Sequence, residues 1–281
     1  MFFSKLKINR SSDKNINNER LQPWNDYYEN VDIALSNKNI LLEENYIEYT
    51  KYIDSLLLNF DLNKIRIIEL ACGTAPIYFH IKKKYNIKID CSDYSSAIVN
   101  RLKKEFEINA ITSNIKNLNE IEDETYDLII LGGGFYENKN PLFYKEVFNS
   151  IKRILKKNGN ALVVMNRHLN LLNLISFFQS IYYSYIRIKS WAFLRKIFGK
   201  QKLFKEFAIW LYDVDFIKKE LENINLKKEN IEYIGFNKGV KEFFKFYMNY
   251  KISNESFIFR FLKKMKLAKS FSTSCILKVK K

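Results

Sequence analysis

The chain is 281 residues long, and its 47% hydrophobic and 16% aromatic content is enough for one sizeable core. The formal net charge of +16 favours an anionic partner, but the basic residues are spread along the whole chain, which supports nucleic acid less than a basic stripe would. The three cysteines lack metal-ligand spacing, and residues 1–10 lack the apolar segment of a secretion signal. We therefore expect reduced thiols, no metal site and a cytoplasmic protein.

The amino-terminal part of the chain divides into a tail and a helical segment. Residues 1–20 are polar and rich in Asn, Lys and Ser. From Trp24 to Phe60 the apolar spacing is helical, and the aromatic residues Trp24, Tyr27 and Tyr28 stand close to its start.

Strands and helices then alternate, a pattern typical of a parallel sheet with helices on both faces. The apolar runs predict strands at residues 64–70, 87–91, 110–112, 126–131, 160–165, 227–234 and 271–279. The intervening patterns predict helices at residues 76–84, 95–107, 141–156 and 214–223. Long insertions interrupt this order at about residues 167–212 and 236–270.

The turn after the first predicted strand has the composition of a nucleotide-binding loop. A β-branched run ends at the acid Glu69 and passes through the small residues Ala71, Gly73 and Ala75 into a helix. Asp93 follows twenty residues after Gly73, where a carboxylate can accept hydrogen bonds from both ribose hydroxyls. Tyr78 stands where a dinucleotide-binding loop has its third glycine, which argues against a pyrophosphate and so against nicotinamide or flavin.

The loop resembles the first motif of the class I S-adenosylmethionine-dependent methyltransferases, acid-x-Gly-x-Gly-x-Gly, with alanine at positions 71 and 75. Two later stretches, residues 126–134 and 153–164, are similar to the fourth strand and to the Arg-x-Leu-Lys-x-Gly-Gly signature of that family. The resemblance implies a doubly wound α/β fold with a mostly parallel seven-stranded sheet, an antiparallel last strand and helical insertions that form a cap. We assign residues 1–60 to a tail and helical lid, and 61–281 to the methyltransferase domain.

The resemblance also implies an S-adenosylmethionine site. Glu69 would organise the loop near the methionine end of the cofactor, and Asp93 would bind the ribose. Tyr94 would pack on the adenine, and Asn114 would accept from the adenine amino group in place of the more common Asp. The other residues that we expect to line this site are Trp24, Tyr28, Ala71, Gly73, Ile115, Leu131 and Gly132. Of these, Leu131 and Gly132 would offer carbonyl groups to the methionine ammonium.

A hydroxyl acceptor would benefit from a general base at the carboxyl ends of the strands. His168 is the first candidate, since histidine titrates near neutral pH, and Tyr136 and Glu137 are the others. A hydrogen-bonded structural histidine remains the alternative at position 168. His80 lies within a predicted helix and is read as a surface or packing residue.

The first insertion has two possible roles. Leu169 to Ile186 carries no charge, but its Asn and Ser residues recur at steps of three and four, which suits a helix lying in an interface better than one crossing it. Basic and aromatic residues then interleave to Lys205, so residues 169–205 could contact a membrane surface. A lid over the acceptor cleft, or a dimer contact, is the reading we favour, because loops at the carboxyl ends of strands build substrate sites.

The sequence therefore predicts an enzyme that methylates a hydroxyl or amine of a small, anionic or apolar acceptor, which could be phosphorylated, a sugar or lipid-linked. An RNA methyltransferase is one alternative, although Gly132 to Phe135 replaces the Asp/Asn-Pro-Pro-Tyr/Phe run that grips flipped bases in amino-methylating enzymes. A non-catalytic scaffold of the same fold is the other. The oligomeric state is not readable from the sequence.

Overall fold

The structure, a computed structural model, describes residues 24–132, 141–166, 221–234, 241, 257, 260–261 and 274–281. Its helices are α1 (24–30), α2 (Ile33–Leu41), α3 (Glu44–Leu57), α4 (Pro76–Tyr85), α5 (Ser96–Phe106) and α6 (Pro141–Ile154). Its strands are β1 (Ile67–Leu70), β2 (Asp90–Asp93), β3 (Ala110–Thr112), β4 (Tyr126–Leu131), β5 (Leu155–Asn166), β6 (Lys227–Ile234) and β7 (Ser274–Lys280).

The strands form one seven-stranded sheet in the order β3-β2-β1-β4-β5-β7-β6. Strands β1 to β5 pair in parallel, and β7 runs antiparallel to both β5 and β6. The predicted fold class is thus confirmed. Because the parallel strands share one direction, the carboxyl ends of β1, β2 and β4 meet at one edge, and that edge carries the candidate site.

Helices cover both faces of the sheet. Along β4, Leu128 and Ile130 pack into the layer of α3, α4 and α5, whereas Ile129 and Leu131 pack against α6 on the other face. This is the two-residue period of a strand that is buried on both sides. Two apolar layers therefore enclose the sheet, and the buried carboxyl groups of Glu69 and Asp93 lie toward the carboxyl ends of β1 and β2, at the edge that carries the candidate site.

The boundaries of β1, β2, β5 and β7 differ from the sequence prediction. Strand β1 begins at Ile67 and not at residue 64, because the backbone N–H groups of Lys64 and Ile65 donate to the Asp61 carbonyl in a turn. Strand β2 consequently begins at Asp90, which pairs with Ile68, and it extends to Asp93. Asp93 is therefore the last residue of β2 rather than a residue that follows it.

Strand β5 begins five residues earlier than predicted, at Leu155, which pairs with Tyr126 before the register shifts. Within this irregular start, Asn158 has a φ of +67°, the left-handed conformation that asparagine tolerates. A Cβ at Gly159 would lie 2.9 Å from the Leu155 side chain and from the Lys156 carbonyl oxygen, so the irregularity requires glycine there.

Other predicted segments lie partly or wholly outside the described residues. Of the predicted helix 214–223, the described part, 221–223, is helical. The insertion at 167–212, and all but four residues of that at 236–270, lie outside the described residues, as does the cap they were expected to form. The three cysteines are buried, and none of them forms a disulfide bond. Among the described helices, none combines the length and apolar character needed to cross a bilayer.

Candidate functional site

The turn after β1 is built from left-handed residues. Ala71, Gly73 and Ala75 have φ angles of +48°, +51° and +58°, and the Ala75 N–H donates to the Cys72 carbonyl at 2.8 Å. The sequence interpretation assigned the two alanines only a small size and missed their backbone conformation. Their place at glycine positions of the resembling motif was the available signal, because glycine adopts positive φ without strain. We call residues 71–75 the cofactor loop.

Glu69, in strand β1, binds the first backbone N–H groups of helix α4. Its side chain is 3% exposed, and its carboxylate accepts from the N–H groups of Ile77 at 3.4 Å and Tyr78 at 2.9 Å. Burial raises the pKa of Glu69 to about 8 despite these two hydrogen bonds. Because Glu69 already occupies these helix N-terminal donors, a pyrophosphate would have to compete with it for them.

Asp93 connects the ends of β1 and β2. Its Oδ2 accepts from the Gly73 N–H at 2.8 Å, and its Oδ1 accepts from the Ser95 N–H at 2.9 Å. Burial raises the pKa of Asp93, against the opposing effect of these hydrogen bonds. The N-cap of α5 is Ser95, so Asp93 is not merely a helix cap, and a carboxylate has further acceptor capacity for ribose hydroxyls.

The ends of the neighbouring strands carry the remaining predicted site residues. The side-chain oxygen of Asn114 accepts from the Lys116 N–H at 3.0 Å, so this oxygen is already engaged in a local turn, beside the half-buried Ile115. Leu131 is fully buried. A Cβ at Gly132 would lie 3.3 Å from the Tyr49 ring, so α3 approaches the carboxyl end of β4 closely.

The amino-terminal helix α1 lies over the cofactor loop. The Tyr28 hydroxyl is 2.9 Å from the position that a Cβ on Gly73 would take, so the tyrosine ring needs a residue without a side chain beneath it. Trp24 stacks on Tyr28 with ring centroids 5.8 Å apart, and both Trp24 and Tyr94 are exposed. Burial, then the charge of Asp93, raises the pKa of the Tyr28 hydroxyl, which therefore stays protonated at neutral pH.

Three hydrogen-bonded contacts hold the amino-terminal helices in this place. The Arg101 guanidinium donates to the carbonyls of Tyr28 at 2.9 Å and Val31 at 2.7 Å. The Ser95 hydroxyl donates to Asn25 at 2.5 Å, and the Asn37 side-chain amide donates to the Thr74 carbonyl at 2.7 Å. The sequence interpretation missed Arg101, Asn25 and Asn37, and no local motif marks them. We call these contacts the helix clamp.

The residues of this site fit S-adenosylmethionine. Glu69, Asp93 and the side-chain oxygen of Asn37 are acceptors, and the Asn37 oxygen is buried with no hydrogen-bond partner in the described residues. Such a set suits a ligand with ribose hydroxyls, an ammonium and a sulfonium, and it is unsuited to a pyrophosphate. Gly73 and the positive φ angles on either side of it let a ligand approach the backbone.

The predicted catalytic residues Tyr136, Glu137 and His168 lie outside the described residues, and their roles stay predictions. His80 is away from the loop, where its Nε2 lies 2.9 Å from Asp54 of α3, a carboxylate that also binds Lys84 and Tyr85. Within the described part of the chain, no cluster of His, Cys, Asp and Glu could hold a metal ion.

Comparison with known proteins agrees with this geometry. Residues 53–185 match the family model described as Methyltransferase small domain. No curated protein matches the chain significantly in sequence.

Solved structures share the fold. One is the magnesium protoporphyrin IX methyltransferase of Synechocystis PCC 6803 with S-adenosylhomocysteine bound, at a TM-score of 0.52, 10% identity and coverage of 92% of this chain and 98% of that one. Another, provisionally assigned as a sarcosine dimethylglycine methyltransferase of Galdieria sulphuraria, has a TM-score of 0.50, 13% identity and coverage of 84% and 86%. The methyltransferase model over residues 53–185, together with the shared fold, confirms the predicted resemblance to the class I S-adenosylmethionine-dependent methyltransferases, and with it the predictions of a methyltransferase enzyme and of S-adenosylmethionine as its cofactor.

Proposed function

We propose that the enzyme methylates a hydroxyl or amine of a small-molecule acceptor, a class that includes phosphorylated, sugar and lipid-linked molecules. The observation that carries this proposal is the position of α1 over the cofactor loop, with the Tyr28 hydroxyl above Gly73 and the Arg101 guanidinium on the carbonyls of Tyr28 and Val31. Helix α1 therefore covers part of the cofactor loop and narrows the access to it. A small acceptor enters such a site more readily than a folded RNA does.

In the proposed mechanism the protein mainly aligns the reactants. S-adenosylmethionine supplies a methyl group that is already activated by its sulfonium sulfur, so in-line positioning provides much of the rate. Asp93, which binds the Gly73 N–H, would accept from the ribose hydroxyls of the bound cofactor, and Glu69 holds the start of α4 through its first N–H groups. Tyr28, whose hydroxyl lies next to Gly73, limits the access of water to the cofactor loop. For a hydroxyl acceptor, His168, or else Tyr136 or Glu137, takes the proton.

An RNA methyltransferase and a non-catalytic scaffold are the competing proposals. The net charge of +16 favours an anionic acceptor and therefore supports RNA as well as a phosphorylated small molecule. Glycines 132–134 and Phe135 lack the polar run that grips a flipped base, which favours the small molecule. Asp93 binds the cofactor loop at Gly73, and Glu69 binds the first N–H groups of α4 directly after it, which argues against a scaffold that has lost its cofactor site.

Ligand-induced stabilisation tests the cofactor site. S-adenosylhomocysteine should raise the Tm by mass action, and NADH should not. Asp93→Ala removes the ribose acceptor and should weaken binding of S-adenosylhomocysteine by about 1.5–3 kcal/mol, whereas the exposed Glu120→Ala should not. Equal titration curves for the wild type and Asp93→Ala would overturn the ribose assignment.

Transfer of labelled methyl groups tests the acceptor class. Purified enzyme and methyl-labelled S-adenosylmethionine are incubated with the small-molecule fraction and, separately, with the RNA fraction of a cell extract. Label in the small-molecule fraction supports the proposal. Label confined to RNA would replace it with the RNA alternative, and cofactor binding without transfer to either fraction would favour the scaffold.

A further inference from the structure

Asn37 is a buried polar residue in the middle of helix α2. It is 5% exposed, and its side-chain amide donates to the carbonyl of Thr74, which lies in the cofactor loop between Gly73 and Ala75. Helix α2 packs beside α4, the helix that starts where this loop ends. The Asn37 side chain therefore joins the amino-terminal helices to the backbone of the cofactor loop.

The side-chain oxygen of Asn37 has no hydrogen-bond partner among the described residues. This Oδ1 is buried and accepts no hydrogen bond from the part of the chain that the structure describes. Asparagine is a poor residue for a helix interior, and a buried acceptor without a donor is unfavourable, so packing alone would favour an apolar residue here. Holding Thr74 uses only the amide nitrogen, and it leaves the oxygen unexplained.

We propose that Asn37 binds the amino-acid end of S-adenosylmethionine, with its Oδ1 accepting a hydrogen bond from the α-ammonium. This rests on the proposed function. An orphaned acceptor requires a donor, and the carboxylate and the sulfonium of the cofactor offer none. The adenine amino group is a donor, but it lies at the opposite end of the cofactor from the amino acid and is assigned to Asn114, after β3. The cofactor's ribose hydroxyls belong to Asp93, whose carboxylate bonds to Gly73 on the same loop. The ammonium has three N–H donors, so it can bind Asn37 and backbone carbonyls at the same time.

Two ligands that differ in the amino-acid end separate this role from a structural one. S-adenosylhomocysteine carries the ammonium, and 5′-methylthioadenosine has the same adenosine and thioether without it. The affinities are measured by calorimetric titration. Asn37→Ala should weaken the binding of S-adenosylhomocysteine by roughly tenfold or more, as expected for a lost hydrogen bond to a charged group. The same substitution should change the affinity for 5′-methylthioadenosine by less than about twofold. The control Asn39→Ala, on the same helix but exposed, should change neither.

If both ligands lose affinity equally, Asn37 only holds Thr74 in place. If neither affinity changes, Asn37 is not part of the site. Either result overturns the proposal. Asn37→Asp provides a second test if the alanine variant does not fold. Aspartate keeps an acceptor oxygen, so the ratio of the two affinities should not fall. In the wild type, the Asn37 side-chain amide signals should shift with S-adenosylhomocysteine and not with 5′-methylthioadenosine, and equal shifts would contradict the proposal. If the wild type binds neither ligand, the proposed function fails instead.

Discussion

Glu69 and Asp93 are carboxyl groups buried beside the cofactor loop, where their ionised forms are disfavoured. Burial raises the pKa of both, and each is partly compensated by backbone N–H donors. The Glu69 carboxyl also faces the charge of Asp93 across β1 and β2, which raises its pKa further. A carboxyl group in this state makes the stability of the fold depend on pH.

We expect the unfolding free energy to fall as the pH rises between 4.5, the ordinary pKa of Glu69, and about 8, its pKa in the fold. In this range the folded state keeps a proton that the unfolded state has released, so the stabilisation is complete below the lower value and is lost through the upper one. Glu69→Gln should flatten this dependence in urea unfolding at several pH values. Asp93 is present in both proteins, so its contribution largely cancels.

Glu105→Gln is the control for that comparison, because Glu105 is exposed and pairs with Arg101, which lowers its pKa. Its removal should leave the slope in the stated window unchanged. Equal slopes for the wild type and Glu69→Gln would show that Glu69 is ionised in the fold, contrary to its burial.

The two alanines in the cofactor loop are strained. The left-handed conformation costs an L-residue about 1–2 kcal/mol, which a change to glycine relieves. Part of this relief is offset because glycine makes the unfolded state more flexible. Ala71→Gly and Ala75→Gly should therefore each raise the unfolding free energy by about 0.5–1 kcal/mol in urea titrations. Ala97→Gly, in helix α5, should lower it by about 1 kcal/mol. Destabilisation by both loop substitutions would contradict the positive φ angles.

At the scale of elements, the helix clamp depends most on Arg101. Its guanidinium donates to two carbonyls at the α1–α2 junction and also pairs with Glu105. Arg101→Met should release α1 from the cofactor loop and weaken binding of S-adenosylhomocysteine, since Tyr28 would no longer be held above Gly73. Glu105→Gln removes only the ion pair and should leave affinity nearly unchanged.

Trp24 fluorescence reports the same event when Trp191 and Trp210 are replaced by Phe. In that background the ligand should change Trp24 emission with Arg101 present and should change it much less with Arg101→Met. If Arg101→Met leaves both the emission change and the affinity at wild-type values, α1 is not part of the cofactor site.

Elements could be predicted where local pattern decides them. Strands β3, β4 and β6 match the sequence prediction to the residue, and Glu69, Gly73 and Asp93 follow from one motif and its spacing. Strands β1, β2 and β5 differ at their starts because a neighbouring strand or turn decides where pairing begins. The helix clamp was not predictable, since Arg101 and Tyr28 are 73 positions apart and their contact uses a backbone carbonyl that leaves no trace in residue type.

At the scale of the whole molecule, the sheet order follows from the alternation of strands and helices together with the family motifs. The acceptor side does not follow in the same way, because it depends on residues 133–140 and 167–220, whose roles stay predictions. The net charge of +16 also belongs to this scale, since it acts on any anionic partner irrespective of where that partner binds.

Residues 169–205 could form either a lid or a membrane contact. We expect a lid, because β5, the strand that precedes this segment, ends at the edge of the sheet that carries the cofactor loop. A lid predicts no sedimentation with anionic vesicles. A membrane contact predicts sedimentation that high salt reverses, with about 1 kcal/mol from each basic residue near the surface. The test variant replaces four basic residues by Gln: Arg195, Lys196, Lys200 and Lys202.

A control of equal charge distinguishes a local contact from the general positive field. It replaces four exposed lysines of the described part by Gln: Lys83, Lys104, Lys145 and Lys228. For a lid, the test variant should raise KM for a phosphorylated acceptor or leave it unchanged, and neither variant should bind vesicles. Salt-sensitive vesicle binding by the wild type that the test variant loses and the control keeps would replace the lid with a membrane anchor, because apolar burial and basic charge would then act together on one segment.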